Sequence, residues 1–358
     1  MSTALTVIIA LLVFGFLIFI HEFGHYITAR IFKVTITEFS IGMGPKLAWY
    51  DSKKTGIRYS LAMFPIGGFV AMVGENEDSD DPNAFDKKPA WQRYIITLAG
   101  AFVNIVMGAL AMIIIVMMMN VGDTTVRTHI SEQAYMDAYE DTEKFSFEGV
   151  NTEQKLRIGD VITRVNGKKV AILDELNYQI MRYGNESVDL TVIRDGEEIV
   201  IEDVVFPRII EQNQEFGTLN IGVYKIEKGF FNTIGIAMRK SFLTLRMCWE
   251  SILDLIRGRY SFAAVSGPVG ISGAIGDAAS QGFASLLNIV VLISINLGFM
   301  NLLPIPALDG GRLLTIFIEM VSGKKLPTKV EGMINAVGLC ALLLLSVVIM
   351  IKDVVQLF

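Results

Sequence analysis

The chain has 358 residues, is 52% hydrophobic and only 19% charged, and combines a positive mean hydropathy with a formal charge of −6. That balance argues against a pair of soluble domains and for a polytopic membrane protein. Two cysteines, Cys248 and Cys340, argue against a disulfide framework, and no basic block interleaved with aromatic residues points to nucleic acid.

Residues 4–20 carry no charge, and the apolar pattern runs on to Arg30, long enough for a helix to cross about 30 Å of hydrocarbon. MSTALT lacks a basic leader and no small-residue cleavage site follows, so a span rather than a signal peptide is expected. Inside this span, LIFIHEFGHYITARIF (17–32) places His21, Glu22 and His25. Ionisable side chains are costly in a membrane and functional there by default. On a helix, positions i and i+4 share a face, so the two imidazoles can be offered to one metal ion. Glu22, rotated about 100° from His21, can act as a general base toward water at that ion. This is the HExxH spacing of zinc peptidases.

The segment from Arg30 to Arg93 holds nine Lys and Arg residues, which makes it cytoplasmic by the positive-inside rule. The N-terminus, the long middle region and the C-terminus then lie outside. Within this segment, IRYSLAMFPIGGFVAMVGE (57–75) shows two alternating arms about Pro65-Ile66-Gly67-Gly68. It reads as an apolar hairpin dipping toward the membrane beside the metal. Its free edge at Gly67, Gly68, Phe69 and Val70 would pair with an extended substrate; the alternative is a surface hairpin packed on helices.

Residues 94–121 form a second uncharged span. Between residues 121 and 228 there are 21 acidic against 12 basic residues, which suits a translocated domain. Residues 155–170 alternate around Gly159-Asp160 and Asn166-Gly167, as strands joined by tight turns do. Residues 173–185 have helical spacing closed by Gly184, and 187–206 read as two strands joined at Asp195-Gly196. The region that would receive a peptide terminus is long and acidic, with Glu132, Asp137, Glu140, Asp141 and Glu143, which suits exclusion better than capture. Residues 229–260 mix apolar positions with Arg239, Lys240, Arg246, Arg257 and Arg259, as an amphipathic helix in the lipid interface does.

A third uncharged run, 278–308, ends in the proline-broken GFMNLLPIPALDGGR (298–312); a fourth span covers 333–351. Catalytic zinc needs three protein ligands and an open position. Thr28 stands where the metzincin pattern wants glycine, and His129 lies across the membrane in the topology above. Asp309 fits instead, because Pro304 and Pro306 force irregular backbone that must line a polar site. The alternative is that Asp309 caps the helix that follows. Asn296 and Asn301, on the same run, either hydrogen-bond neighbouring helices or hold substrate backbone.

HEFGH, PIGGFVAMVGE, GAFVN, the strand–strand–helix–hairpin order of a PDZ domain, SGPVGI and NLLPIPALDGG follow one another along essentially the whole chain. Together they resemble the site-2 protease family, of the bacterial regulator-of-sigma-E protease type with a single PDZ domain. Many members carry two PDZ domains, and GAFVN lacks the proline common in that motif. The resemblance implies zinc (Zn2+) held by His21, His25 and Asp309, with Glu22 as catalytic base and Asn296 and Asn301 touching substrate. It implies an intramembrane metalloendopeptidase that cuts transmembrane segments of single-pass proteins near the cytosolic face. Regulated proteolysis of an anti-sigma factor, or removal of signal-peptide remnants, would be such work.

The expected architecture is a polytopic α-helical protein of the bacterial inner membrane. It has four transmembrane helices, a membrane-associated β-hairpin and an inserted extracytoplasmic PDZ-like α+β domain. The expected divisions are 1–120, 121–228, 229–260 and 261–358. A zinc transporter would not need Glu22 beside His21, and a non-catalytic PDZ scaffold would not need the intact motif.

Overall fold

The structure, a computed structural model, describes residues 2–75, 77–139, 144–211, 214–259 and 265–355. It divides into two compact units, one of Met1–Met112 with Thr244–Phe358, the other of Ile113–Leu243.

The first unit opens with α1 (Thr3–Ile31), whose N-cap Ser2 accepts a hydrogen bond from the Leu5 N–H. Strands β1 (Ile36–Asp51) and β2 (Arg58–Met72) and helix α2 (Ala90–Met118) follow. The second unit contributes β3 (Gly122–His129), α3 (Glu132–Ala138), β4 (Phe145–Ser146), α4 (Thr152–Lys155), β5 (Val161–Val165), β6 (Lys168–Lys169) and α5 (Leu173–Tyr183). It continues with β7 (Val188–Arg194), β8 (Glu197–Val204), β9 (Arg208–Glu211), β10 (Gln214–Gly217) and β11 (Ile221–Lys225). Helices α6 (Phe230–Ile256), α7 (Pro268–Gln281), α8 (Phe283–Leu302), α9 (Asp309–Ser322) and α10 (Thr328–Val355) complete the chain.

Among the described residues four helices are long and apolar enough to cross a bilayer: α1, α2, α8 and residues Val330–Asp353 of α10. With its β-sheets, the chain is a polytopic membrane protein carrying a β-containing unit. The third span is shorter than the uncharged run from which it was read. Gly282, at φ 116°, breaks the helix, so residues 278–281 belong to α7. Small residues let the spans close on one another. A Cβ at Gly24 of α1 would lie 2.5 Å from the Ala99 carbonyl oxygen of α2, and one at Gly298 of α8 would lie 2.7 Å from the Ala101 carbonyl oxygen.

The hairpin exists, but its reversal is at residues 52–57, where the Gly56 N–H donates to the Ser52 carbonyl at 2.8 Å and Gly56 takes φ 72°. The two arms read around Pro65–Gly68 do not pair with each other. Strand β2 runs through both and pairs with β1, so that Phe39 faces Tyr59 and Val70, and Ile41 faces Leu61 and Gly68. Gly42 and Gly44, at φ 86° and 91°, give β1 the bend this needs. Among the described residues, 68–72 pairs with β1 alone and leaves an open edge.

In the second unit a six-stranded sheet runs in the order β11-β3-β5-β7-β8 with β6 beside β5, and a three-stranded sheet runs β10-β9-β4. Val126, Ile162, Leu176, Ile180, Leu190, Val192 and Phe206 form its core, with Leu176 and Ile180 presented by α5. The strand read before Gly159 is instead α4 and a turn. The buried Asp160 carboxylate accepts from the Arg157 N–H at 2.8 Å and from the Arg194 guanidinium at 2.8 and 2.7 Å, which folds the chain back there. Burial alone would raise the Asp160 carboxyl, yet Arg194 and the Arg157 N–H hold it below the usual carboxylate range. Strands β9–β11 extend the unit past Pro207, and β11 closes on β3. Glu140, Asp141 and Glu143 lie outside the described residues.

Candidate metal centre

Helix α1 carries His21 and His25 one turn apart on its buried face, with ring centroids 4.9 Å from each other. Helix α2 fixes them. The His25 Nδ1–H donates to the Ile96 carbonyl at 2.8 Å, which leaves Nε2 with a free lone pair. Gly100 makes room for the rings, since a Cβ there would fall 2.3 Å from His25 Nε2 and 2.8 Å from His21 Cε1. Asn104, fully buried, stands beside His21 with its Nδ2 3.5 Å from Nδ1, while its Oδ1 has no partner among the described residues. Rotating that amide by half a turn satisfies both groups: Oδ1 then accepts from the His21 Nδ1–H, and His21 Nε2 is bare as well. Ser294 of α8 donates to the Asn104 carbonyl at 2.8 Å and fixes the residue from the other side.

The third group arrives on a break in the helices. Pro304 and Pro306 end α8, and Leu303 N–H is the last donor bonded back into it. Residues 303–308 then run without helix, with Ala307 at φ 73°. Two glycines admit this backbone: a Cβ at Gly310 would lie 2.0 Å from the Leu303 carbonyl oxygen, and one at Gly311 would lie 2.5 Å from that of Ile305. Leu308 takes the N-cap position of α9, so Asp309 is the first helical residue and not the cap. Its Oδ2 lies 3.0 Å from His21 Nε2 and 3.3 Å from His25 Nε2, and the two Nε2 atoms are 3.2 Å apart.

Oδ2 of Asp309 is buried and, among the described residues, no hydrogen bond of proper geometry reaches it despite those short distances. One atom from each imidazole and one from the carboxylate therefore converge within 4.8 Å. With both rings neutral, such a set is one that a cation at its centre would hold together, and two imidazoles with one carboxylate suit zinc with a position left open. The residues present fit the metal.

A cavity of about 360 Å³ opens on this cluster. It is lined by His21, Glu22, His25 and Asp309, by residues 68–72 of β2, and by Glu75, Thr97 and Arg312. The strand passes close over Glu22, for a Cβ at Gly68 would lie 3.1 Å from Glu22 Cγ and 3.0 Å from the Ser40 carbonyl oxygen. Arg312, one turn beyond Asp309, is hydrogen-bonded to Glu75 and has its Nε 3.6 Å from Glu331 Oε1.

Of the expected site residues, His21, Glu22, His25, Asp309, Gly68, Phe69 and Val70 meet at this cavity. Gly67 does not line it and packs against Met43, which its missing Cβ would meet at 2.8 Å. Asn296 is exposed on α8, and Asn301 is half-buried near the end of that helix; neither lines the cavity. Gly100, Asn104 and the Ile96 carbonyl were not singled out from the sequence; GAFVN carried the one hint of Asn104.

The model of peptidase family M50 matches residues 9–345. The chain is 34% identical to "Putative zinc metalloprotease FN1322" of Fusobacterium nucleatum, across 99% of this chain and all of that protein. It is 32% identical to "Putative zinc metalloprotease CA_C1796" of Clostridium acetobutylicum, across 98% of this chain and 97% of the other. "Regulator of sigma-W protease RasP" of Bacillus subtilis is 26% identical, with 99% of each chain covered. Matches of this extent, over a chain that brings two histidines, a glutamate and an aspartate together inside apolar helices, show that it belongs to the M50 peptidases, the site-2 protease family, and is a zinc metalloprotease.

Proposed function

We propose that His21, His25 and Asp309 hold the zinc and that Glu22 is the general base of a protease that cuts within transmembrane segments of single-pass membrane proteins. The observation that carries this is the convergence of His21 and His25, on a membrane-spanning helix, with Asp309, at a cavity walled by an unpaired strand edge. When bound, zinc supplies a Lewis acid that acidifies water and polarises a peptide carbonyl. Glu22 takes the proton from the attacking water and returns it to the departing amine. The edge at 68–72 receives the substrate as an added strand, because a helix shields its own peptide bonds and must be unwound before they can be attacked. Gly68, Phe69 and Val70 form that edge, and Gly67 shapes its approach. Asn296 and Asn301 touch the substrate outside the reacting centre.

The unit between residues 121 and 228 is read as a PDZ-like domain on the outer face of a bacterial inner membrane. Its helix α5 against a largely antiparallel sheet supports this, as does its acidic balance. The basic segments 30–93 and 312–329 support a metal centre on the cytoplasmic side, and α6 is read as lying in the lipid interface, with 1–120, 229–260 and 261–358 read as the membrane part. RasP bears the name of a sigma-W regulator, which supports an anti-sigma factor as one kind of substrate.

The test is co-expression with candidate single-pass proteins. Glu22→Gln is expected to lower release of the cleaved fragment by about 10²–10⁴-fold while zinc content stays that of the wild type. Undiminished cleavage by this variant would remove Glu22 from the mechanism.

A further inference from the structure

The backbone that delivers Asp309 supports itself only in part: the Leu308 N–H donates to the Ile305 carbonyl at 3.2 Å across Pro306-Ala307. Pro304 and Pro306 lack N–H donors, and Ala307 sits at φ 73°, a left-handed conformation that is costly for a residue with a Cβ. Further support comes from α10. Asn335 Oδ1 accepts a hydrogen bond from the Ala307 N–H at 3.3 Å. A turn further on, a Cβ at Gly338 would lie 2.5 Å from Pro306 Cβ and 2.7 Å from its carbonyl atoms, so only glycine lets α10 close on this proline. A turn earlier, Glu331 Oε1 lies 3.6 Å from Arg312 Nε and 3.4 Å from Thr315 Oγ1. Positions 331, 335 and 338 are spaced i, i+4 and i+7, which puts them on one face of the helix.

Helix α10 also packs on α7, where a Cβ at Gly267 would lie 2.5 Å from Ile349 Cγ2. Its far end is pinned by Asp353, whose Oδ2 accepts from the Gly267 and Gly270 N–H groups at 2.9 and 3.1 Å at the start of α7. Attachments at its two ends thus fix where the helix sits, and one of them grips the segment that ends in Asp309.

We infer that Asn335 is a positioning residue for the metal centre: with Gly338 it clamps the left-handed turn at Pro306-Ala307, and Asp309 reaches the two imidazoles only while that clamp is closed. The position of α10 is thereby transmitted to the third metal-binding group. This rests on the reading of Asp309 as a zinc ligand.

The test uses full-length protein in detergent, loaded with zinc or with cobalt. Zinc affinity is measured by chelator competition, and ligand geometry by the visible spectrum of the cobalt form. Asn335→Leu removes the acceptor and is expected to weaken zinc binding about fivefold, the worth of one such hydrogen bond, and to change the cobalt spectrum. Adding Ala307→Gly to Asn335→Leu should restore both, because glycine adopts that φ without strain. Asp309→Ala is the reference. Wild-type affinity and spectrum in Asn335→Leu, with zinc lost from Asp309→Ala, would overturn the clamp alone. A loss in Asn335→Leu that Ala307→Gly leaves unrepaired would also overturn it, since it would report general damage to α10. Zinc kept by Asp309→Ala would instead remove the ligand assignment and the clamp with it.

Discussion

One missing methyl decides whether two imidazoles can converge. A Cβ at Gly100 would fall inside contact distance of both histidine rings, and neither ring is free to yield, His25 being tied to the Ile96 carbonyl and His21 wedged beside Asn104. Gly100→Ala should therefore lower zinc affinity by about 10–100-fold, the scale at which disturbed ligand orientation acts, with helix content unchanged by circular dichroism. Stoichiometric zinc and full cleavage in this variant would mean that the rings are not held as described. The HExxH pair was legible in the sequence because its geometry is local, set by the helical period alone. Asp309 was legible because prolines and glycines around a single carboxylate have few uses inside an apolar run. Gly100 and Asn104 were not, since a glycine or asparagine in a greasy helix reads the same whether it faces lipid or a histidine 75 or more residues away. The packing of α2 on α1 supplies that difference.

At the scale of elements, the strand pattern of residues 58–72 was visible in its alternation, but its partner was not. Alternation tells which side chains share a face; pairing depends on where β1 bends, and that depends on two positive-φ glycines upstream. As the second arm of the β1–β2 hairpin, 68–72 pairs with β1 on one side and leaves its other edge open beside Glu22. Gly68→Val should test this. The added side chain would press on the Ser40 carbonyl and on Glu22, a crowding that typically costs about 1–3 kcal/mol, and the strand must lift from α1. The expected outcome is a fall in cleavage of about tenfold or more with zinc content preserved, because no zinc-binding group touches the new methyls. Equal loss of zinc and of cleavage would show that the strand supports the metal and not the substrate. Similar reasoning explains the third span: absence of charge marked 278–308 as one run, whereas Gly282 at φ 116° divides it into two helices.

For the whole molecule, the question is what the inserted unit does to traffic into the membrane part. Between residues 121 and 228 acidic residues outnumber basic ones 21 to 12, and the region expected to receive a peptide carboxylate is itself acidic, so capture of a free C-terminus is electrostatically opposed. A folded module of this size can instead obstruct substrates that still carry bulky external domains. The structure shows how to remove it cleanly: the Ile226 N–H donates to the Val121 carbonyl at 2.8 Å, so the ends of the unit meet and a short Gly-Ser linker can replace residues 122–225. The variant should cleave substrates that have not been trimmed outside, which the intact chain should refuse, and should cleave trimmed ones at a rate within about threefold of the intact chain, since no group of the metal centre has been touched. Protease added to the outer side of spheroplasts should nick the intact chain between residues 121 and 228, the side from which obstruction must act. If the deleted protein keeps its zinc yet no longer cleaves trimmed substrates, the unit recruits them and the obstruction reading is wrong.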